Sequence, residues 1–391
     1  ANPWRLERAE DLAQLVYLNE CSSLHLIRQR FGSNLIHTYA GSQSTLIVNP
    51  VFSLSVYSEK VVQMFKGCKR EDMPPHIYAV AQQVYRSMQA SRRAQALVFT
   101  GRSGSGKTIQ ARHFLHYLCH VAGTVGKLVT TEKINAIGGL LEAFGNCRTQ
   151  LNLNASRFAS VITLDFDHIG QISAGLVQGL MLEGHRVVRR PEGETNFHVF
   201  YYLWEGCEEA ERKSLMLNSV EDPSSIFVPL QKVIDKDTAR LGFGKLKASM
   251  DCLGIVLEEQ TTIWSILSAI LHLGYAGATK GVPSFKSQFL RASHAQKAAT
   301  LLGLAPEELH RTVFMSQHQE EQKKKLEKRD SSSMRRSGST LGDKKGKINF
   351  RASLDKMMIT DRVGDGMEAL EAFIIGLYRE LFNLVVSLIN R

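Results

Sequence analysis

Apolar and polar positions divide the chain into two parts. In the first, short apolar runs alternate with amphipathic stretches; in the second, helical spacing dominates. A helix is expected near Glu10 to Arg30, followed by strand-like runs at Leu35 to Tyr39 and Thr45 to Val48. Pro74-Pro75 breaks the pattern before a helix from about His76 to Met88, because proline lacks an amide donor. Ala96 to Thr100 reads as a short buried strand, and Ile109 to Ala122 show the three- and four-residue spacing of a helix.

Gly123 to Lys127 form a loop, Leu140 to Asn146 close another helical run, and Phe158 to Phe166 read as a strong strand, continued by shorter pieces up to Val188. From Asn196 onward helices prevail, notably Thr261 to Leu273, Ala292 to Leu302 and Pro306 to Phe314. The last run, Met367 to Ile389, places Leu370, Phe373, Leu377, Leu381, Leu384 and Leu388 on one helical stripe. There is no internal repeat. Alternation of helix and strand in the first part predicts a mostly parallel sheet with covered faces.

Composition changes this picture in three places. At 391 residues and 43% hydrophobic content the chain can build more than one subdomain. No uninterrupted apolar run reaches about 18 residues and no basic-then-apolar leader opens the chain, so neither a membrane span nor a signal peptide is expected. Its six cysteines are scattered, without CxxC or zinc spacing, and read as reduced thiols. The net charge of +10 is uneven: segment 318–347 holds ten Lys/Arg against five Asp/Glu, which is half the excess. That basic, serine-rich segment reads as a disordered loop with a local polyanionic partner rather than as part of a nucleic-acid-binding fold.

The decisive chemistry lies between the strand and the helix: Gly101, Arg102, Ser103, Gly104, Ser105, Gly106, Lys107 and Thr108 form a GxxxxGKT phosphate loop. Glycines let backbone amides curl toward phosphate oxygens, and the helix N-terminus adds partial positive charge. Lys107 would reach the β and γ phosphates and the Thr108 hydroxyl would ligate Mg²⁺. A guanine-reading NKxD is absent, and no apolar strand ends in Asp-Glu. Asp361 to Gly364 copies a DxxG switch but has no strand leading into it, so it is read as a coincidence.

Five further stretches, in order, narrow the class. Asn49 to Tyr57 (NPVFSLSVY), Pro74 to Tyr78 (PPHIY), LLEAFGNCRTQ, Asn152 to Phe158 (NLNASRF) and Ile263 to Gly274 (IWSILSAILHLG) resemble motifs of the myosin head, the fourth being similar to its switch I, NxNSSRFGK. The GxSGSGKT loop, the Asn-Ala-Ser-Arg-Phe switch, and LDFD followed by RVVRRP (Arg186 to Pro191) resemble class XVIII most closely, with the B-type paralogue favoured.

The resemblance implies an α/β P-loop NTPase of the myosin motor type, with a central mostly parallel sheet and an attached helical upper 50-kDa subdomain. Residues 1–190 would be the nucleotide-binding core and 191–391 the upper 50-kDa subdomain carrying loop 318–347. The chain is expected to lack the SH3-like subdomain, switch II, converter and lever. Asn49 and Tyr57 would lie along the adenine, Gly101 to Thr108 would hold the phosphates, and Asn152, Asn154 and Ser156 would close over them. ATP or ADP with Mg²⁺ is the expected cofactor, Thr108 and Ser156 its metal ligands, and Arg157 the partner of a switch II glutamate.

Departures from the pattern matter more. Ala155 replaces a serine that contacts the attacking water, a loss typically worth about 2–4 kcal/mol of transition-state stabilisation. Arg102 replaces an acidic residue beside the phosphates. Ala159 and Ser160 replace Gly-Lys after the switch, and Ser53 and Ser55 alter the purine loop. Weak or absent hydrolysis is therefore expected, with Ser156 and Arg157 as catalytic candidates, and the chain is expected to serve as an actin tether or scaffold. An active actin-stimulated motor and a nucleotide-free interaction module stay open as alternatives. The resemblance also implies actin filaments and other cytoskeletal or myosin proteins as partners, a homodimer through a coiled-coil tail, and a cytoplasmic, actin-cytoskeletal location, sarcomeric or stress-fibre, with the nucleus as a second.

Overall fold

The computed structural model describes residues 2–219, 235–279, 287–314 and 366–391. Segment 318–347 and Asp361 to Gly364 lie outside them. The chain divides into two compact units, the first formed by Ala1–Leu182, Gly244–Val256 and Val385–Arg391, the second by Glu183–Phe243 and Leu257–Leu384.

The first unit opens with helix α1 (Glu20–Gly32) and hairpin β1 (His37–Tyr39) and β2 (Thr45–Ile47), followed by α2 (Glu59–Phe65) and α3 (Ile77–Ser91). Helix α1 starts later than its spacing predicts because Asn19 and Ser22 form a reciprocal capping box, at 3.0 and 3.1 Å, that fixes its first turn. Upstream, Asp11 caps a single 3-10 turn at Leu12–Gln14 instead. Arg30 is 2% exposed and spreads its guanidinium over the Thr38 hydroxyl and the carbonyls of Arg8, Ala9 and His37, tying the N-terminal segment to β1.

Helix α4 (Lys107–Ala122) packs on α3, and α5 (Thr131–Gly145) packs on α4. The seam buries Ile77, Tyr78, Ala81, Phe114, Leu115, Tyr117 and Leu118, and Tyr117 donates to the equally buried Gln82 at 2.7 Å. Each large side chain in that seam contributes roughly 1.5–3 kcal/mol by burial, whereas a half-exposed ion pair is worth about 0–1 kcal/mol. Apolar packing therefore holds α4 in place, and the Arg112–Glu142 pair, 2.6 Å long and 32% and 27% exposed, sets its register against α5.

The described strands do not assemble the mostly parallel sheet expected. They form three antiparallel two-stranded ladders: β1 with β2, β3 (Asn146–Cys147) with β4 (Ala155–Ser156), and β5 (Ala159–Phe166) with β6 (Ile172–Leu180). Ala96 to Thr100 has no regular secondary structure: Leu97 and Phe99 pack against the core and Val98 is 77% exposed, but its backbone joins no ladder among the described residues. Alternating burial gives it the side-chain pattern of a strand, yet a ladder also needs a backbone partner, and no described strand pairs with it. Beyond β6 the chain turns through 3-10 residues Gly184–Val187 rather than continuing as strand.

The second unit contains α6 (His198–Gly206), α7 (Glu209–Ser214), α9 (Leu257–Ala276), α10 (Ala292–Leu302) and α11 (Pro306–Phe314), with parts of α8 (Lys236–Cys252) and α12 (Gly366–Ile389). Phe197 and Phe200 stack on Tyr378 of α12 at 4.9 and 5.4 Å. That contact turns the helix slightly from its expected stripe: Leu370, Ile374, Tyr378, Leu381, Phe382, Val385 and Leu388 are buried, while Leu384 is 39% exposed. By length and composition α12 is apolar enough to cross a membrane. Arg379 and Glu380 at its middle oppose that reading, since a mid-bilayer charge costs at least about 2.5–3.5 kcal/mol.

Candidate nucleotide site

The phosphate loop lies in the first unit and keeps the geometry its sequence predicts. Gly106 holds φ +90° at the start of α4, a conformation costly for a residue with a Cβ, and a Cβ on Gly101 would meet Ser105 Oγ at 2.6 Å. The first helical hydrogen bond runs from Gln110 N–H to the Gly106 carbonyl at 2.9 Å. Among the described residues no backbone carbonyl takes the amides of Lys107, Thr108 or Ile109, which open at the positive end of a 16-residue helix. Lys107 Nζ folds over the loop onto the carbonyls of Gly101 and Arg102 at 2.7 and 2.9 Å. Ser105 Oγ is buried without a partner.

Two neighbouring segments are tied to this loop. Asn49 Nδ2 donates to the Gly104 carbonyl at 2.7 Å, and its Oδ1 accepts from Val51 N–H at 3.1 Å. From the other side Asn152 Nδ2 donates to Ser103 Oγ at 3.2 Å. The structure thus brings Asn49, the phosphate loop and Asn152 together. Thr108 and Ser156 are exposed hydroxyl-bearing residues, the donor type a phosphate-bound Mg²⁺ accepts, and the arrangement fits a nucleotide with its metal. Among the described residues no cluster of three His, Cys, Asp or Glu offers a different metal centre.

The remaining predicted residues are placed as follows. Asn154 Oδ1 accepts from buried Asn146 Nδ2 at 2.8 Å and its amide donates to Asn152 Oδ1, so it braces the loop. Arg157 donates Nε to the Ser156 carbonyl at 3.2 Å, and its amide reaches the Gly145 carbonyl at 2.8 Å. Arg102 projects into solvent. Ala155 is fully buried, paired with Cys147 in the β3–β4 ladder, and Gly145 leaves room for the Phe158 ring, which any Cβ there would strike.

Sequence reading missed the surroundings of Tyr57. This residue ends a 3-10 turn (Ser55–Tyr57), and its ring stacks on His113 with centroids 3.7 Å apart and planes 6° from parallel. Gln110 Nε2 donates to the Tyr57 phenol oxygen at 2.7 Å, and His37 Nε2 lies 3.4 Å from the same oxygen. Burial, reinforced by neighbouring His76, pushes the His37 imidazole well below its ordinary range. Burial lowers His76 and His113 to about 4, helped by His113 and by His116 respectively, and it raises the Tyr57 phenol. The missed signal was spacing: Gln110 and His113 stand three and six positions after Lys107, on the helix the phosphate loop opens.

Among the described residues an open pocket of about 430 Å³ lies elsewhere, in the second unit, lined in part by Phe289, Ala295, His310 and Arg311. It carries none of the residues above. The phosphate loop is an open cradle instead, and chemistry identifies it better than concavity.

A phosphate loop opening a helix, with an asparagine loop tied to it from either side, defines a P-loop domain. The chain belongs to the myosin head (motor domain) family, whose model matches residues 9–391. It is 46% identical over 400 residues to unconventional myosin-XVIIIa of Mus musculus, covering 100% of this chain and 18% of that relative. It is 37% identical over 392 residues to unconventional myosin-XVIIIb of Homo sapiens, covering 100% of this chain and 14% of that one. These relatives support class XVIII and do not separate the A type from the B type. The chain spans less than one fifth of either relative's length.

Proposed function

We propose that this chain is the nucleotide-holding part of a class XVIII-type myosin head that binds Mg-ATP or Mg-ADP and contributes to actin attachment, with weak or absent hydrolysis. The single observation that carries the reading is the open helix N-terminus at Lys107 to Ile109, joined by Asn49 and Asn152. In this reading Gly101 to Thr108 hold the phosphates, Thr108 and Ser156 supply hydroxyls to Mg²⁺, and the metal offsets phosphate charge. Lys107 exchanges its two loop carbonyls for phosphate oxygens, a charge-assisted contact roughly twice as strong as a neutral one.

Weak turnover follows from Ala155. It brings no hydroxyl to a water, and its methyl is fully buried, so the switch offers only its backbone and Ser156 near the reacting phosphate. The protein would then act as a tether whose state is set by the nucleotide it holds, with residues 1–190 as the nucleotide core and 191–391 as the upper 50-kDa subdomain. Segment 318–347 carries net positive charge, which would attract acidic actin. Calorimetric titration of the complete protein with Mg-ATP and Mg-ADP tests this. Binding that is lost in Lys107→Ala supports it; a wild-type protein that takes up neither nucleotide sinks it.

A further inference from the structure

Away from the phosphate loop, α2 and α4 meet with two matched pairs of polar side chains. His116 and His120 stand one turn apart on α4, and Glu59 and Gln63 stand one turn apart on α2. Val62 and Phe65 of α2 share a buried core with Leu115, Leu118 and Cys119 of α4, which fixes the rotation of both helices. The His116 and His120 rings lie 6.2 Å apart between centroids. Gln63 Nε2 meets His120 Nε2 at 2.8 Å, and because an amide nitrogen only donates, the ring nitrogen accepts, with its lone pair aimed at α2. Burial, with His120 beside it, holds the His116 imidazole below its ordinary range, and Glu59 is close enough to oppose part of that shift. Cys119, between the two histidines in the chain, takes no part: it is buried, and burial pushes its thiol up to about 11.

We propose that His116 and His120 chelate a divalent transition-metal ion of the zinc type, with Glu59 and Gln63 offering oxygen from α2, so that the ion clamps α2 onto the helix that the phosphate loop opens. Two histidines four positions apart on one helix face are a chelating pair for such an ion. Imidazole suits zinc, nickel and copper, whereas Mg²⁺ takes oxygen ligands, so the site and the nucleotide's metal do not compete. Metal–nitrogen bonds of about 2.0–2.1 Å require the two ring centroids to close by roughly 1 Å, within the reach of the exposed His120 side chain. Short of three clustered His, Cys, Asp or Glu donors, the site is open and exchangeable rather than a closed structural centre. The clamp does not depend on bound nucleotide.

The test is amide hydrogen exchange of α2 and α4 in the complete, nucleotide-free protein, with sub-millimolar Zn²⁺ as the probe and excess Mg²⁺ present throughout. At a Zn²⁺ concentration ten times its dissociation constant, exchange in both helices is expected to slow by about tenfold, the factor 1 + [L]/Kd. His116→Asn and His120→Gln each remove one imidazole and keep a polar side chain. Either is expected to weaken Zn²⁺ by at least about tenfold, so that the slowing falls to about twofold or less. Rates without Zn²⁺ give each variant its own baseline, which separates lost metal from lost packing.

A histidine pair that serves only as a solvated face bonded to Gln63 predicts no effect of Zn²⁺, and unchanged exchange in the wild type overturns the proposal. Equal slowing in the wild type and both variants means an adventitious ion only and overturns it as well. Slowing confined to α4, with α2 unaffected, removes the clamp and has the same consequence.

Discussion

Acidification tests the histidine cluster directly. His76 is held to about 4 by burial, His113 to about 4 by burial and by His116, and His37 is held well below its ordinary range by burial and by His76, so all three are neutral in the folded protein near pH 6. In the unfolded chain they titrate near 6.5. The unfolded state therefore binds more protons, and stability present above pH 6.5 is lost as pH falls toward about 4. Each such proton is worth at most about 1.4 kcal/mol per pH unit, so the two best-buried, His37 and His76, give up to about 3 kcal/mol per unit below about pH 6, and half-buried His113 adds a smaller, solvent-screened part. That is a large share of the roughly 5–15 kcal/mol that holds a typical domain together.

His76→Phe isolates the effect. The new ring keeps the stack with Phe65, seen at 4.9 Å, and removes a buried Nε2 that has no partner, but it gives up the Tyr78 amide cap at 3.1 Å. Those changes oppose each other at neutral pH, each about 1 kcal/mol. Amide hydrogen exchange of α3 and α4 should show that the stability lost between pH 7 and pH 5 is smaller in the variant by about 2 kcal/mol in all, or about 1 kcal/mol per unit. A variant with the wild-type slope would refute the assignment of these histidines as neutral in the fold.

Three other outcomes are expected. Gly145→Ala should destabilise the first unit by about 1–3 kcal/mol in denaturant titrations, because its Cβ runs into the Phe158 ring; wild-type stability would mean that ring moves freely. Arg186 is 1% exposed and pairs with Glu183 and Glu194 at 3.1 and 2.8 Å, so Arg186→Ala should cost about 3–5 kcal/mol by leaving both carboxylates partly buried and unpaired. A loss under 1 kcal/mol, read by the same titration, would contradict that account. Deleting 318–347 should lower actin co-sedimentation more at low salt than at high salt, since exposed charges are screened; equal sedimentation at both would remove the tether role from that loop.

What the sequence revealed and what it hid follow one physical division. The phosphate loop and its helix were legible because their chemistry is local, glycines at fixed offsets and then a helix-type run, whereas the Asn49 and Asn152 loops were legible only through their resemblance to the myosin head. Strand β5 and helices α9 to α11 were legible because one period ran through each, while β6 was read only as shorter strand pieces and its pairing with β5 was not foreseen. The register of long contacts was not. Nothing at position 113 announces a partner at Tyr57, because the meeting depends on where α4 packs. The stripe on α12 was misread for the same reason: the helix is apolar on nearly every side, and Phe197 and Phe200 choose which face is buried. The sheet arrangement was not legible because alternating side chains predict a strand such as Ala96 to Thr100 without saying what pairs with it.

The central claim joins nucleotide retention to weak turnover, and one paired measurement reaches both. The complete protein, wild type and Ala155→Ser, is titrated with Mg-ATP and Mg-ADP, and phosphate release is followed with and without filamentous actin. The account predicts firm binding with negligible release in the wild type, and release partly recovered by the serine. Robust actin-stimulated release from the unmodified protein would contradict it and make the chain part of a working motor.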